Sequence, residues 1–508
     1  MTVAFSQHKR VVGLSIWMAV ASGSRGPALA QVPSVEPLAL VGATVIDGRG
    51  GQPLVNAIVV TNGSKILAVG PAGTVPVPPG MRILPARGHF VVPGLWDMHV
   101  HTAVGPVSGR RSPDAIEDNA EYFLPLLVAH GIVGVRDMSG QLEVLSRWRK
   151  QIASGERLGP RLVITGRKLG GSAVVHGAPW PVRTADDIER SINMLATGGA
   201  DFVKVENLTP EQWPVVMAAA ARAGLPVAGH VEPSVRLAEV ARLGLKSAEH
   251  LQGILAGCSS EEAGVVGNAR RELGLWGRFM IRAGLWKPDE RNAQRNRRLL
   301  ASQDPGRCDV LARSLVQAGT WLTPTLISLA AVHGLAQPRS SELEALFPAG
   351  LRRPPRPVTE LGRALFAAQL SVVGTLARAG VPLLAGTDCP GTERVPGASL
   401  VDELRLLVRA GLTSMQALQA ATREPARYLG LADSVGTIAP GMAADLVVVD
   451  RDPLVDIGSL DAVSAVVIGG RYLPRTELDR LKSGVRERLR SWAATAERSP
   501  SPGPGRGR

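Results

Sequence analysis

The stretch Val91-Val-Pro-Gly-Leu-Trp-Asp-Met-His99-Val-His101 decides how the rest of the chain is read. An apolar run (Phe90, Val91, Val92) turns at Pro93-Gly94 and resumes from Leu95 to His101. Side chains along an extended strand alternate faces, so His99 and His101 project together. Two imidazoles on one face at a strand end form a pair of metal ligands; the plainer alternative is two hydrogen-bonded core histidines. Which reading holds depends on what else the chain brings to the same end.

Working outward, residues 36–92 read as short β segments, among them Ala43-Thr-Val-Ile, Asn56-Ala-Ile-Val-Val and Lys65-Ile-Leu-Ala-Val. Turn formers such as Asp47-Gly48 and Asn62-Gly63 separate them. Residues 435–474 have the same character, with Gly436-Thr-Ile-Ala-Pro-Gly-Met-Ala-Ala-Asp-Leu-Val-Val-Val-Asp followed by Ala462–Ile468. Neither segment is large enough to bury a sheet face alone. One composite β-sandwich domain, built from 31–92 and 432–474, is the economical expectation.

Between them the pattern alternates strand and helix. Strands are expected at Gly94–His101, Ile132–Asp137, Pro160–Thr165, Ala200–Val205, Pro226–His230, Lys246–His250, Thr320–Thr325 and Val381–Thr387. Helical patterns separate most of them, as in Ala115–His130, Ala185–Gly198, Pro210–Ala223 and Val235–Leu243. The expected fold class is therefore α/β, a (β/α)8 TIM barrel over 93–431, with reactive groups at the carboxyl ends of the strands. Residues 258–316 exceed one β–α unit and carry Arg-rich helical sequence. This insertion reads either as a lid over the catalytic face or as a surface helix pair. Over 475–508 an amphipathic helix is expected at 476–492, capped by Thr476 with Asp479, before a Pro/Gly/Ser/Arg tail.

Composition is that of an ordinary globular chain, 45% hydrophobic and 20% charged over 508 residues. The formal charge of +13 includes Lys9, Arg10 and Arg25 in a leader without acidic residues. No basic run with interleaved aromatics follows, so the surplus reads as surface solubility and no nucleic-acid partner is expected. Residues 1–30 have the three parts of a signal peptide: basic His8-Lys9-Arg10, apolar Val11–Ala21, and Ala28-Leu29-Ala30 before Gln31. Export to a periplasm or beyond is expected, with no stable membrane anchor. Three cysteines are too few for a disulfide scaffold, though Cys258 and Cys308 bracket the insertion and are free to pair in an oxidising compartment.

Polar residues now fall at strand ends. Lys204 lies within Phe202-Val-Lys-Val, His230 closes Leu225-Pro-Val-Ala-Gly-His, His250 closes Ser247-Ala-Glu-His, and Asp388 follows Leu383-Leu-Ala-Gly-Thr. Each has a bland alternative: a snorkelling or Glu206-paired lysine, a core histidine, a surface His–Glu pair, a turn or helix cap. With His99 and His101 they make six groups from strands one, four, five, six and eight. Accidental convergence of all six at one end is the weaker explanation.

The combination of Pro-Gly-Leu-Trp-Asp-Met-His-Val-His, Gly134-Val-Arg-Asp, Phe-Val-Lys-Val, Gly-His-Val, Glu-His-Leu, Trp321-Leu-Thr-Pro-Thr and Gly-Thr-Asp resembles the amidohydrolase superfamily, specifically its imidazolonepropionase-like and Xaa-Pro dipeptidase-like members. The likeness runs from about residue 37 to 472. It implies two divalent metal ions, zinc foremost, with His99, His101 and Asp388 on one, and His230 and His250 on the other. It further implies that Lys204 is N6-carboxylated and bridges them together with a hydroxide. A buried lysine with a lowered pKa suits that modification, which needs a neutral amine. Asp388 would then act as general base and acid in hydrolysis of an amide, in a dipeptide or an N-acyl amino acid. The alternatives are a lactone, cyclic amide or phosphotriester hydrolase using the same site, or a metal-binding barrel without activity. His176, in Gly170-Gly-Ser-Ala-Val-Val-His176-Gly, is either a substrate contact or a free loop histidine. Arg136 and Arg183 either meet a substrate carboxylate or pair internally with Asp137 or Asp187. The oligomeric state stays open between monomer and homo-oligomer.

Overall fold

The apolar segments of the amino-terminal region form five strands, β1 (Leu38–Val45), β2 (Leu54–Asn62), β3 (Lys65–Pro71), β4 (Arg82–Pro85) and β5 (Phe90–Pro93). They come from a computed structural model that describes residues 36–498 apart from Arg111, 171–179, 276–279, 281–282, 284–286 and Thr392. The leader, the loop carrying His176 and the terminal tail lie outside the described residues. Antiparallel hairpins join β1 to β2 and β2 to β3, the latter turning at Asn62-Gly63 with Gly63 at φ +55°. One end of β1 pairs with β4 through Leu38–Val41 and the other with β5 through Thr44 and Val45.

The β–α region begins directly after β5. Its strands are β6 (Leu95–Val100), β7 (Ile132–Asp137), β8 (Arg161–Ile164), β9 (Leu169–Gly170), β10 (Trp180–Pro181), β11 (Val203–Glu206), β12 (Val227–Gly229), β13 (Ser247–Glu249) and β14 (Trp321–Thr323). The pairs β6–β7–β8 and β9–β11–β12–β13–β14 are all parallel. Every residue of β6 and β7 is buried, as strands covered on both faces must be. Helices such as Asp118–Ala129, Leu142–Ala153, Ala185–Thr197 and Gln212–Arg222 supply the outer layer. The eighth expected strand, Val381–Thr387, is extended but is not a continuous ladder strand. Leu384 N–H donates to Leu322 C=O and Met98 N–H to Ala385 C=O, yet Ala385 N–H turns away to Ala420 C=O and Thr387 N–H to the Asp97 carboxylate. The Ala385 and Thr387 donors thus go to the helix layer and to a side chain, which interrupts the ladder.

Strands β15 (Leu446–Val449), β16 (Val463–Ile468) and β17 (Arg471–Pro474) return to the first sheet, where β15 runs antiparallel to β5. The result is one hydrogen-bonded eight-stranded sheet with strands from both ends of the chain. The shared strand β1 provides the continuity. The first ligand strand is thus an extension of this sheet: β5 passes through Gly94 into β6. A Cβ on Gly94 would stand 2.4 Å from Val133, so only glycine fits the crossing.

In the insertion, helices Glu262–Leu273 and Pro288–Ala301 precede Pro305–Ala318, and a Cys258–Cys308 disulfide ties their two ends together. Arg270 Nε donates to Ser234 C=O at 2.8 Å, so the first of these helices leans on the loop that follows His230. The terminal helix spans Arg475–Arg498, longer than expected. Its start at Arg475 places Thr476 inside the first turn instead of at the cap. Leu478 and Val485 are buried and Leu481, Leu489 and Trp492 pack at their edges, while Arg488 pairs with Glu121 at 2.9 Å.

Candidate metal centre

Strand alternation does bring His99 and His101 together at the end of β6. Their ring centroids lie 5.2 Å apart, and Asp388 closes the group, with Oδ1 3.6 Å from His99 Nε2 and 3.2 Å from His101 Nε2. Ligand atoms of these three all lie within 4.8 Å of one another. The other oxygen, Oδ2, accepts a 2.8 Å bond from Ser328 Oγ. Burial opposes ionisation of Asp388, but the Arg394 guanidinium and a hydrogen bond from His101 hold its carboxyl well below the usual carboxylate range.

The imidazoles continue as a chain. His250 stands 4.5 Å from His99 and His230 stands 4.7 Å from His250, centroid to centroid. Three of the four are anchored through Nδ1: His99 donates to Glu249 at 2.7 Å, His101 meets Ser139 Oγ at 2.9 Å, and His250 meets Thr325 Oγ1 at 2.7 Å. Such partners fix the tautomer and leave Nε2 for a ligand. Burial, reinforced by the Lys204 charge, holds the His99 and His230 pKa values well below the usual histidine range. Burial likewise lowers His250 to about 4. Neutral imidazoles are what a metal ion requires.

Lys204, on β11, is 1% exposed. Its Nζ and the Nε2 of His99 are buried without a hydrogen-bond partner among the described residues. An unsatisfied buried polar atom costs about 1–3 kcal/mol, so two at one spot mark a place built for something else. Burial lowers the Lys204 pKa to about 8, against the pull of Glu249 and Glu206 and with help from Arg136. Backbones at the site are strained as well: His250, Thr325 and Asp388 adopt φ of +59°, +47° and +56°. Left-handed non-glycine residues concentrate where function over-determines the conformation. The donor set fits divalent cations held by imidazole nitrogens, a carboxylate and one further anion.

Arg136 corrects an expectation. It is fully buried and directs its guanidinium inward: Nε to Met98 C=O at 2.7 Å, Nη1 to Ser247 Oγ and Tyr428 Oη at 2.8 Å each, Nη2 to Glu249 at 2.9 and 3.1 Å and to Thr323. No donor is left for a substrate, and its ion-pair partner is Glu249 on β13 instead of Asp137. Asp137 accepts from Thr102, and Asp187 from the Arg183 and Thr184 amides. His176 falls outside the described residues.

Sequence reasoning also missed Glu249 and Asp97. Glu249 is fully buried and links Arg136 to His99, where a surface pair with His250 was the alternative. Asp97 accepts from His99 N–H, Thr387 N–H and Thr387 Oγ1, tying β6 to the segment that carries Asp388. Strand parity held the signal for both: Ser247 and Glu249 share one face, as do Asp97 and His99.

The amidohydrolase family profile matches residues 90–473. Imidazolonepropionase of Methylobacterium sp. (strain 4-46) is 28% identical over 270 residues, 45% of this chain and 66% of that protein. A solved Xaa-Pro dipeptidase, with methionine bound in its active site, aligns with a TM-score of 0.61 at 20% identity, covering 86% of this chain and 100% of that one. Ochratoxinase of A. niger aligns at 0.62 and 19% identity, covering 87% of this chain and 96% of its own. At such identities the structural likenesses show a fold, here TIM-barrel-like α/β.

Proposed function

The chain belongs to the amidohydrolase family, and from that premise we propose that it is a binuclear metal-dependent hydrolase of C–N amide bonds in dipeptides or N-acyl amino acids. The observation that carries the reading is the set of Nδ1-anchored, neutral imidazoles facing Asp388 beside a buried, unpartnered Lys204 Nζ. His99, His101 and Asp388 would hold one ion, His230 and His250 the other, and N6-carboxylated Lys204 would supply the shared anion. Zinc or a similar divalent ion there contributes Lewis acidity, polarising the scissile carbonyl and acidifying water.

The chain's own groups do the rest. Glu249 holds the His99 Nδ1 proton and so aims Nε2. Ser328 fixes Asp388 Oδ2, which leaves Oδ1 facing the imidazoles. Being ionised, Asp388 accepts a proton from the attacking water and passes it to the leaving nitrogen. The bonds from Leu384 to Leu322 and from Met98 to Ala385 support a closed eight-stranded barrel, and the shared sheet supports a composite domain around it. Export is part of the same proposal, supported by the leader composition and the Cys258–Cys308 pair; the mature chain should begin near Gln31 on N-terminal sequencing.

The test is amino-acid release from a panel of dipeptides and N-acyl-L-amino acids by zinc-loaded protein, with Asp388→Asn as the blank. Release by the wild type should exceed the blank by roughly 10²- to 10⁴-fold. Equal release by both would refute the role of Asp388. Silence across the panel with two metals bound would shift the reading to lactones, cyclic amides or phosphotriesters.

A further inference from the structure

Two arginines are buried beside the candidate metal centre, and their hydrogen bonding differs. Arg136 uses Nε, Nη1 and Nη2 on oxygens inside the barrel. Arg394 is 8% exposed and makes one side-chain hydrogen bond among the described residues, from Nη1 to Ser328 Oγ at 3.0 Å. Its Nη2 approaches Asp388 Oδ2 at 3.5 Å, beyond good hydrogen-bond length, and its Nε is buried without a partner among the described residues. The buried carboxyl of Glu403 lies close enough to feel its charge. Burying a guanidinium with unused donors is unfavourable unless something completes its shell.

The loop itself holds Arg394 in place. Arg394 N–H donates to Gly391 C=O at 3.1 Å, and the Cys389 thiol donates to Arg394 C=O at 3.7 Å. The guanidinium lies flat against Gly391, where a Cβ would stand 1.6 Å from Nη2. That glycine leaves the planar fork room beside Asp388, whose side chain is 21% exposed and whose other oxygen faces the imidazoles. Guanidinium and carboxylate pair bidentately, and the fork is pre-organised for it.

We propose that Arg394 is the specificity residue that anchors the α-carboxylate which dipeptides and N-acyl amino acids carry on the leaving amine. The inference rests on the amide-hydrolase reading and assigns to one side chain the preference for such acids over neutral amides. Arg394 Nη2 lies 3.5 Å from Asp388 Oδ2, and Asp388 Oδ1 lies 3.2 Å from His101 Nε2, so the guanidinium sits one side chain away from the candidate metal centre.

The experiment compares N-acetyl-L-alanine with its carboxamide on the wild type, Arg394→Met, Arg394→Lys and Gly391→Ala, as the ratio of the two kcat/KM values. Any disturbance of Asp388 enters both substrates alike and cancels in the ratio. The wild type should prefer the acid by roughly 10- to 100-fold, as one charged hydrogen-bonding pair allows. Arg394→Met and Gly391→Ala should bring the ratio toward one, with Arg394→Lys between. A wild type without preference, or a ratio unmoved by these variants, overturns the assignment while leaving amide hydrolysis standing. Should the wild type cleave neither compound, calorimetric binding of N-acetyl-L-alanine decides: weaker binding in Arg394→Met by the same factor supports the anchor, and equal binding overturns it. If Arg394→Met does not fold, Gly391→Ala, which keeps the charge but displaces it, decides between the same two outcomes.

Discussion

Removing Glu249 should destabilise the protein through Arg136, and a double-mutant cycle should reveal it. Both side chains are 0% exposed, and Glu249 accepts from Arg136, from Ser247 Oγ at 2.6 Å and from His99 Nδ1. Glu249→Leu leaves a buried guanidinium without its counter-ion, at a cost of about 3–5 kcal/mol; Arg136→Met strands the carboxylate at a similar cost. With both replaced, no net charge remains uncompensated, and the loss is of hydrogen bonds to Met98, Ser247, Tyr428, Thr323 and His99, about 1 kcal/mol each. The pair should therefore show a coupling of about 1–5 kcal/mol in urea unfolding of chelator-treated protein. Burial opposes ionisation of Glu249, but Arg136 and His99 hold its pKa well below the ordinary glutamate value. A depressed folded pKa gives stability that is present above the unfolded value and lost only as pH falls through the folded one, so coupling at pH 7 and pH 5 should agree. Zinc affinity should fall roughly 10- to 100-fold in Glu249→Leu. The double variant should not recover it, because His99 still lacks its partner. Additive single effects, with coupling below about 0.5 kcal/mol, would refute the claim that this pair is desolvated.

Lys204→Ala should reduce bound zinc from two ions to one by mass spectrometry, with partial rescue by short carboxylates. Reconstitution with zinc at a fixed concentration of dissolved CO2 should run faster at pH 9 than at pH 7, since burial lowers the Lys204 pKa to about 8 and only the neutral amine reacts. Thiol titration should find none reactive in the native protein, one after denaturation and three after reduction, because Cys389 is buried and Cys258–Cys308 is bonded. Losing that bond, which closes a separation of 50 residues, should lower stability by up to about 4 kcal/mol. Burial raises the Glu403 pKa to about 8, even though it accepts the Ile327 amide. Its stabilising contribution is complete below the unfolded glutamate value and is lost as pH rises toward 8. Glu403→Gln should flatten that decline in thermal melts taken from about pH 4.5 to 8.5.

The candidate ligands were legible in the sequence because strand periodicity is local. His99 and His101 share a face by alternation alone, Lys204 interrupts an apolar run, and His230, His250 and Asp388 each close a short segment that needs no knowledge of its neighbours. The supporting groups were not visible, because their partners lie on other strands. Arg136 and Glu249 are 113 residues apart, and nothing around either names the other. Inside a barrel the inward face of a strand is as buried as the outward one, so the polarity contrast that marks a half-exposed strand is missing there. The eighth strand was legible as an extended segment but not as an interrupted ladder, since the competing acceptors, Ala420 C=O and Asp97, belong to other elements.

The same contacts carry a consequence for precision. His99 on β6 is held by Glu249 of β13, His101 by Ser139 beyond β7, His250 by Thr325 beyond β14, and Asp388 by Ser328. None of these four candidate ligands is oriented by its own strand alone. A shift of any one loop at the carboxyl end of the strands therefore moves a ligand attached to a different one, and errors of an ångström at such a site cost about two orders of magnitude in rate. The positioning of the six candidate ligands thus depends on the whole ring of strand ends and not on any single strand. That is why buried connections such as Arg136–Glu249 and Asp97–Thr387 stand closer to the chemistry than their distance from any substrate suggests.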